Sequence, residues 1–135
     1  MQTLVVTYPP MDGDLRSMQG KLLQVRLPDR DCLVLAASQA CSYHNQALAR
    51  LLTEQAIPCR WESAAVLVWE HPEVQVIGGG RFQLLADRQA IRVWDSSGVY
   101  GPFDPQRLAD QLQHAPAPWS GLRLVALGPA APRLR

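Results

Sequence analysis

Segments in which apolar and polar residues alternate predict strands in the first third of the chain. Residues 3–8 are rich in β-branched residues and end at two prolines, and the polar stretch 9–19 that follows is predicted to be a loop. Residues 23–27 alternate strictly, as expected for a strand with one buried face. The turn residues 28–31 separate them from the apolar run 32–35, so these two segments predict a hairpin.

Apolar residues recur at helical spacing in residues 42–56, which predicts a helix. Ser42 is the expected N-cap residue, and Pro58 stops the helix. His44 lies in the first turn, near the middle of the apolar stripe. The stripe that should face a core consists of Tyr43, Ala47, Leu48, Leu51 and Leu52.

The second half of the chain predicts further strands around one more helix. Residues 59–71 fit either a short helix or a strand. The helix should begin at Asp104, as N-cap, and Pro105, as first helical residue, and should run to about residue 113. Both helices are needed to cover the strands, so the predicted fold class is α/β or α+β around a single sheet. The further strands are predicted at 73–77, 81–85, 90–95 and 122–127.

Composition indicates one globular domain. The 135 residues are 47% hydrophobic and 19% charged, with a net charge of +1, which excludes disorder of the whole chain. Residues 1–127 are expected to form the domain, and the Pro- and Ala-rich residues 128–135 a flexible tail. No apolar run is long enough to span a membrane, and no basic region precedes the N-terminal apolar stretch, so a cytoplasmic protein without membrane contact is expected.

Charge and cysteine content exclude other classes. The tryptophans are not interleaved with basic runs, so a nucleic-acid partner is not expected. The cysteines are odd in number, widely spaced and not clustered with the histidines, which favours reduced thiols without a metal site. These cysteines are Cys32, Cys41 and Cys59.

His44 is the first residue with possible chemistry. The start of a helix offers free backbone N–H groups and a partial positive charge, which favour an anion such as phosphate. A histidine at that place can act as a base or nucleophile toward the anion. A histidine on a core-facing stripe can also be a packed, hydrogen-bonded residue, and spacing alone favours that role.

Two further segments suit an anion. Gly78-Gly79-Gly80 follow a predicted strand and permit close approach of a ligand, and Arg81 adds a bidentate donor. Three glycines also fit an ordinary turn or bulge. Residues 95–102 place two serines and two glycines after a strand, which suits either an anion-binding nest or a plain connection to the next helix.

Taken in order, these segments resemble the Janus/Ocnus family, whose known activity is protein phosphohistidine phosphatase. The resemblance covers about residues 20–125 and is most specific in the C-terminal half. It implies one mixed sheet of about six strands flanked by two helices, in a small monomeric enzyme without metal or cofactor. The motifs that carry it are Tyr43-His44, V-I-G-G-G-R at 76–81, I-R-V-W at 91–94 and S-G-V-Y-G-P at 97–102.

The resemblance also implies roles for individual residues. His44 matches the catalytic histidine, acting as general base toward water or as transient phosphoryl acceptor. The implied reaction is hydrolysis of the P–N bond of phosphohistidine in a partner protein. The positions implied to bind the phosphoryl group, several through backbone N–H groups, are Tyr43, Asn45, Gly79, Gly80, Arg81, Ser97, Gly98 and Val99.

Two cations of the family are missing at their expected positions. Counted from the preceding glycine, the family's lysine falls on Leu23, and Lys21 is expected to point elsewhere unless the register shifts. The arginine eight residues before the histidine falls on Ala36. Each charged hydrogen bond to an anion contributes about 1.5–3 kcal/mol, so phosphate binding should be weaker unless Arg26 or Arg50 substitutes.

These departures keep other interpretations open. The missing cations favour a catalytically weak or inactive phospho-ligand-binding or regulatory protein on the same fold. A hydrolase of a small phosphorylated or acylated molecule is a third possibility. The segment 59–71 is longer than in the family, and it either recognises the partner or extends the core, with the apolar run 64–68 favouring the core.

Overall fold

The computed structural model describes residues 2–127, which form ten strands and two helices. The helices are α1 (His44–Glu54) and α2 (Pro105–Gln113). The predicted tail, 128–135, lies outside the described residues. In chain order the strands are β1 (Leu4–Tyr8), β2 (Gln19–Arg26), β3 (Asp31–Ala37), β4 (Cys59–Trp61), β5 (Leu67–Trp69), β6 (Gln75–Leu85), β7 (Ala90–Trp94), β8 (Ser96–Ser97), β9 (Gly101–Pro102) and β10 (Arg123–Ala126).

Eight of the strands belong to one mixed sheet. Its main order is β1-β3-β2-β6-β7-β10, in which β1 runs parallel to β3 and β10 parallel to β7, while the inner pairs are antiparallel. The short strands β8 and β9 pair with each other, and β9 joins β6 at Gly79. Strands β4 and β5 form a separate hairpin. The α+β class with two helices is confirmed, and β8 and β9 add to the six strands of the main order.

Each helix covers one face of the sheet. Alternate residues of β2 point to opposite faces: Leu23 packs in the cluster that contains Leu48 of α1, and Leu22 in the cluster that contains Leu108 of α2. Both central strands, β2 and β3, are therefore buried on both faces, which explains why β3 is an unbroken apolar run rather than an alternating one. Within residues 2–127 no helix is long and apolar enough to cross a membrane.

The two helix starts differ from each other in how well local sequence predicts them. Helix α2 begins as expected, because the Asp104 carboxylate accepts a hydrogen bond from the Arg107 amide at 3.0 Å. The expected N-cap of α1, Ser42, is wrong, since the N-cap residue is Tyr43. The Gln46 side chain reaches back to the amides of Ser42 and Tyr43, at 2.9 and 3.2 Å, and so fixes the start one residue later.

The three glycines lie inside one continuous strand, β6, instead of separating two strands as predicted. Neighbouring backbone leaves no room for side chains there. A Cβ on Gly78 would overlap the Pro102 carbonyl, and one on Gly79 would lie 2.7 Å from the Leu22 carbonyl oxygen and 2.9 Å from Cδ2 of His44. The glycines therefore serve the close packing of β6 against β9, β2 and the start of α1.

Candidate functional site

His44 is the first residue of α1 and lies against the glycines of β6. Its side chain is buried, with 6% exposure, and Nε2 lies 2.9 Å from the Gly80 carbonyl oxygen. Because a carbonyl can only accept, Nε2 carries the proton of this hydrogen bond. The neutral ring therefore has its lone pair on Nδ1, the nitrogen that would accept a proton or attack phosphorus.

The surroundings of His44 keep its ring neutral. Burial is the largest influence and lowers the pKa of His44, and the positive charge of Lys21 lowers it further. The carbonyls of Gly80 and Leu22 and the carboxylate of Asp95 oppose this effect without reversing it. The pKa of His44 thus lies below its ordinary value, and the imidazole is available as a base near pH 7.

The start of α1 is open to an anion at two amides. The resemblance implies a third, but the Tyr43 amide already donates to the Gln46 side chain. In the described part of the chain, the amides of His44 and Asn45 donate to no acceptor. No acidic residue occupies the first turn. Two free N–H groups at the positive end of a helix can donate hydrogen bonds to an anion next to the His44 ring.

The side chain of Asn45 has a structural role. It is buried, and Nδ2 donates to the Ala65 carbonyl oxygen at 3.0 Å. Ala65 belongs to the loop that joins β4 to β5, so this hydrogen bond holds the hairpin against the start of α1. Of Asn45, only the backbone amide remains for an anion.

Lys21 belongs to the site, contrary to the expectation that it points elsewhere. Strand β2 begins earlier than predicted, so Lys21 lies in the sheet directly opposite Arg81, and the two residues line a cleft of about 240 Å³. Burial lowers the pKa of Lys21, and the charge of Arg81 lowers it further. Lys21 also acts electrostatically on His44. Leu23, where the lysine was expected, is buried opposite Gly79.

Asp95 places a carboxylate beside these cations. Its Oδ2 lies 3.4 Å from Nε of Arg81, and its side chain is mostly buried whereas Arg81 is half exposed. Asp95 has a φ of 69°, the left-handed conformation, directly after β7. Its charge also raises the pKa of Lys21. Asp95 therefore offsets part of the positive charge that an incoming anion would meet.

The other arginines proposed as substitutes are engaged elsewhere. Nε of Arg26 lies 3.9 Å from Asp31, and Nε of Arg50 lies 3.7 Å from Glu54, one turn further along α1. Ala36, where the resemblance expects an arginine, is fully buried in the core. Lys21 is the cation that acts on His44 in the described chain, and Arg81 lies opposite Lys21 across the sheet.

The serine loop lies next to the glycines, as the resemblance implies. Strand β8 ends at Ser97 and pairs with β9, which joins β6 at Gly79. Ser97 is buried, and its Oγ accepts a hydrogen bond from the Tyr100 amide at 3.0 Å, which closes the turn. Gly98 and Val99 at the tip of this turn are exposed, so their backbone faces solvent.

The site combines two amides, two cations and a neutral histidine. Lys21 and Asp95 were missed from the sequence: Lys21 because its strand starts before the alternating pattern, and Asp95 because nothing but its place after a strand marks it.

The three cysteines are free thiols, and among residues 2–127 no group of three or more His, Cys, Asp or Glu side chains is placed to hold a metal. No family model matches the chain, and no curated protein matches it.

Proposed function

We propose that the protein is a phosphoryl hydrolase of the phosphohistidine phosphatase type, which acts on a phosphorylated histidine of a partner protein without metal or cofactor. The observation that carries the proposal is the neutral, buried His44 at the open start of α1. Lys21 and Arg81 supply positive charge beside it. The resemblance to the Janus/Ocnus family supplies the reaction class and the phosphohistidine phosphatase-like fold, and the monomeric state and cytoplasmic location stay predictions of the same kind.

The reaction would use Nδ1 of His44. The phosphoryl oxygens accept hydrogen bonds from the amides of His44 and Asn45, and the two cations balance their charge. As the oxygen of a water attacks phosphorus, Nδ1 takes a proton from that water. The P–N bond breaks, its electron pair goes to the imidazole nitrogen of the substrate, and solvent water supplies the proton that this nitrogen takes up as it leaves. His44 then returns its proton from Nδ1 to solvent.

His44 can instead attack phosphorus directly. In that case Nδ1 forms a new P–N bond while the bond to the substrate histidine breaks. Water then attacks the phosphorus on His44, the new P–N bond breaks with its electron pair returning to Nδ1, and inorganic phosphate is released. Both routes require an unprotonated Nδ1, which the lowered pKa of His44 provides at neutral pH. Trapping a phosphorylated His44 in a rapid-quench experiment would distinguish them.

Replacement of His44 tests the proposal. His44→Ala should lower the rate of phosphate release from a protein phosphorylated on histidine by about 10²–10⁴-fold, as expected for loss of a general base. The protein should stay folded, since one hydrogen bond and one side chain are lost. His114→Ala is the matched control, because His114 is exposed and lies at the end of α2. Equal rates for both variants, or no release by wild type, would contradict the proposal.

A binding protein on the same fold is the second candidate. Asp95 beside Arg81 and the buried Ala36 both reduce the positive charge available to a phosphoryl group. This candidate predicts that the protein binds a phosphohistidine peptide and releases no phosphate, with Arg81→Ala weakening the binding. Turnover by wild type would exclude it.

A further inference from the structure

We propose that the hairpin of β4 and β5 forms part of a docking surface for the protein that carries the phosphohistidine. The inference rests on the proposed function and adds the surface by which the substrate is recognised. It assigns the 59–71 segment a role in recognition as well as in the core.

The hairpin is fixed to the catalytic end of α1. The Asn45 side chain donates to the Ala65 carbonyl, and the Glu62 amide donates to the Val66 carbonyl at 2.8 Å, which closes the tip. Leu67, the partner of Trp61 across the hairpin, is buried and anchors it to the core. The tip therefore lies beside the residue that follows His44 in the chain.

Exposed apolar side chains are concentrated around His44. Seven large hydrophobic side chains are exposed in the described part of the chain. Four of them lie on three segments linked to His44: the start of α1, the hairpin that Asn45 holds, and the serine loop, whose strand β9 pairs with Gly79 beside the His44 ring. We call these four the apolar rim: Tyr43, Trp61, Val66 and Val99, each 45–64% exposed. Exposed apolar side chains next to a polar centre are typical of a protein-binding surface.

The depth of His44 explains why the occupant is a polypeptide. The ring is 6% exposed, so a substrate must extend its phosphoryl group past the rim to reach it. A free phosphorylated amino acid has nothing to place on the rim, whereas a phosphohistidine in a polypeptide brings its flanking side chains there. Because the rim is apolar, the favoured substrate has apolar residues on both sides of the phosphohistidine.

Three substrates and two variants test this. The substrates are free phosphohistidine and two phosphohistidine peptides, one flanked by leucines and one by serines. Wild type should favour the leucine peptide by about tenfold in kcat/KM, as for loss of one important interface side chain. Val66→Glu should abolish this preference and leave the rate with free phosphohistidine unchanged. Met11→Glu, a change at an exposed apolar residue outside the rim, should keep the preference.

The outcomes separate the two proposals. Equal rates of wild type on both peptides, or an unchanged preference in Val66→Glu, would overturn the docking role and leave the proposed activity standing. The same loss on free phosphohistidine as on the peptides would also overturn it, since the change then acts on the catalytic site. If wild type hydrolyses none of the three substrates, the proposed activity and the docking role both fail.

Discussion

The two helices pack on the same sheet, but their N-terminal ends differ in how the backbone amides are capped. At the start of α2, the Asp104 carboxylate accepts from the Arg107 amide, and the Asp104 amide and carbonyl bond to the side chain of Gln24 at 2.7 and 3.0 Å. Pro105, the first residue of α2, has no N–H to satisfy. The positive end of this helix is thus largely closed by the protein's own groups, and in the described chain only the Gln106 amide of its first turn donates to no acceptor.

At the start of α1, the protein leaves the corresponding positions open. Gln46 caps from within the helix and satisfies the amides that precede it, so the His44 and Asn45 amides stay without an acceptor in the described chain. Lys21 and the Asp95 carboxylate both act electrostatically on His44, which follows this cap. An acid at the N-cap stabilises a helix and excludes a second anion, so the open start of α1 indicates a ligand site where α2 shows a structural end.

The largest expected effect on phosphate binding comes from giving α1 the cap of α2. Tyr43→Asp should place a carboxylate at the open start of α1, where an N-cap aspartate accepts from the amide of Asn45 or Gln46. Inorganic phosphate should then bind at least about tenfold more weakly, because the charged hydrogen bonds that it makes contribute about 1.5–3 kcal/mol each. Tyr43 is 64% exposed, so the fold should tolerate the change. Calorimetric titration measures the affinity.

Tyr43→Asn is the matched control for that variant. It can cap the same amides without adding charge, so its phosphate affinity should lie between those of wild type and Tyr43→Asp. An aspartate variant that binds phosphate as tightly as wild type would show that the amides of α1 do not hold the anion.

Opposite changes at the ion pair beside the site should have opposite effects. Arg81→Ala removes a cation and should weaken phosphate binding by about tenfold. Asp95→Asn removes the competing carboxylate and should strengthen it by a smaller factor, because Arg81 is half exposed and screened by solvent. If both variants weaken binding equally, the pair serves the fold and not the anion.

A smaller change is expected at the closed helix. Asp104→Ala should lower the free energy of unfolding by about 1 kcal/mol, the usual cost of losing an N-cap side chain. Phosphate affinity should not change. Urea denaturation followed by circular dichroism measures the first quantity. A loss of phosphate binding in this variant would mean that the two helix starts do not differ as described.

The pH dependence of turnover and of the free energy of unfolding tests the environment of His44. Because burial lowers its pKa below 6.5, turnover should remain high at pH 6.5 and fall only at lower pH. Below pH 6.5 the unfolded chain takes up a proton that folded His44 does not, so the free energy of unfolding should decrease as pH falls toward the folded pKa. His44→Ala should remove this part of the decrease. An acid limb of turnover above pH 6.5 would contradict the lowered pKa.

Local sequence chemistry predicts what is decided locally. The start of α2 follows from Asp104 and Pro105, since the cap and the proline act within one turn. The N-cap predicted for α1, Ser42, was wrong because the side chain of Gln46, four residues further along the chain, supplies the acceptor for the Ser42 amide. The apolar stripe predicted the buried face of α1 except at Tyr43, which is 64% exposed. His44 on that stripe is packed and hydrogen-bonded to Gly80, and its chemical role stays a prediction.

Features that depend on strand register could not be predicted from local sequence. Lys21 precedes the alternating pattern of β2, and only its pairing opposite Arg81 brings it to the site. The glycines look like a turn in sequence, yet they continue β6 because three other segments approach its backbone. Asp95 is part of the site because it forms an ion pair with Arg81, which lies fourteen positions away in the chain but is adjacent in space.

The most direct test of the open helix start is a titration with inorganic phosphate followed by amide chemical shifts in NMR. We predict that the largest shifts fall on the amides of His44 and Asn45 and on residues 79–81, with none at Gln106 or Arg107 of α2. No shifts at millimolar phosphate, or equal shifts at both helix starts, would contradict the account that α1 is open to an anion and α2 is not.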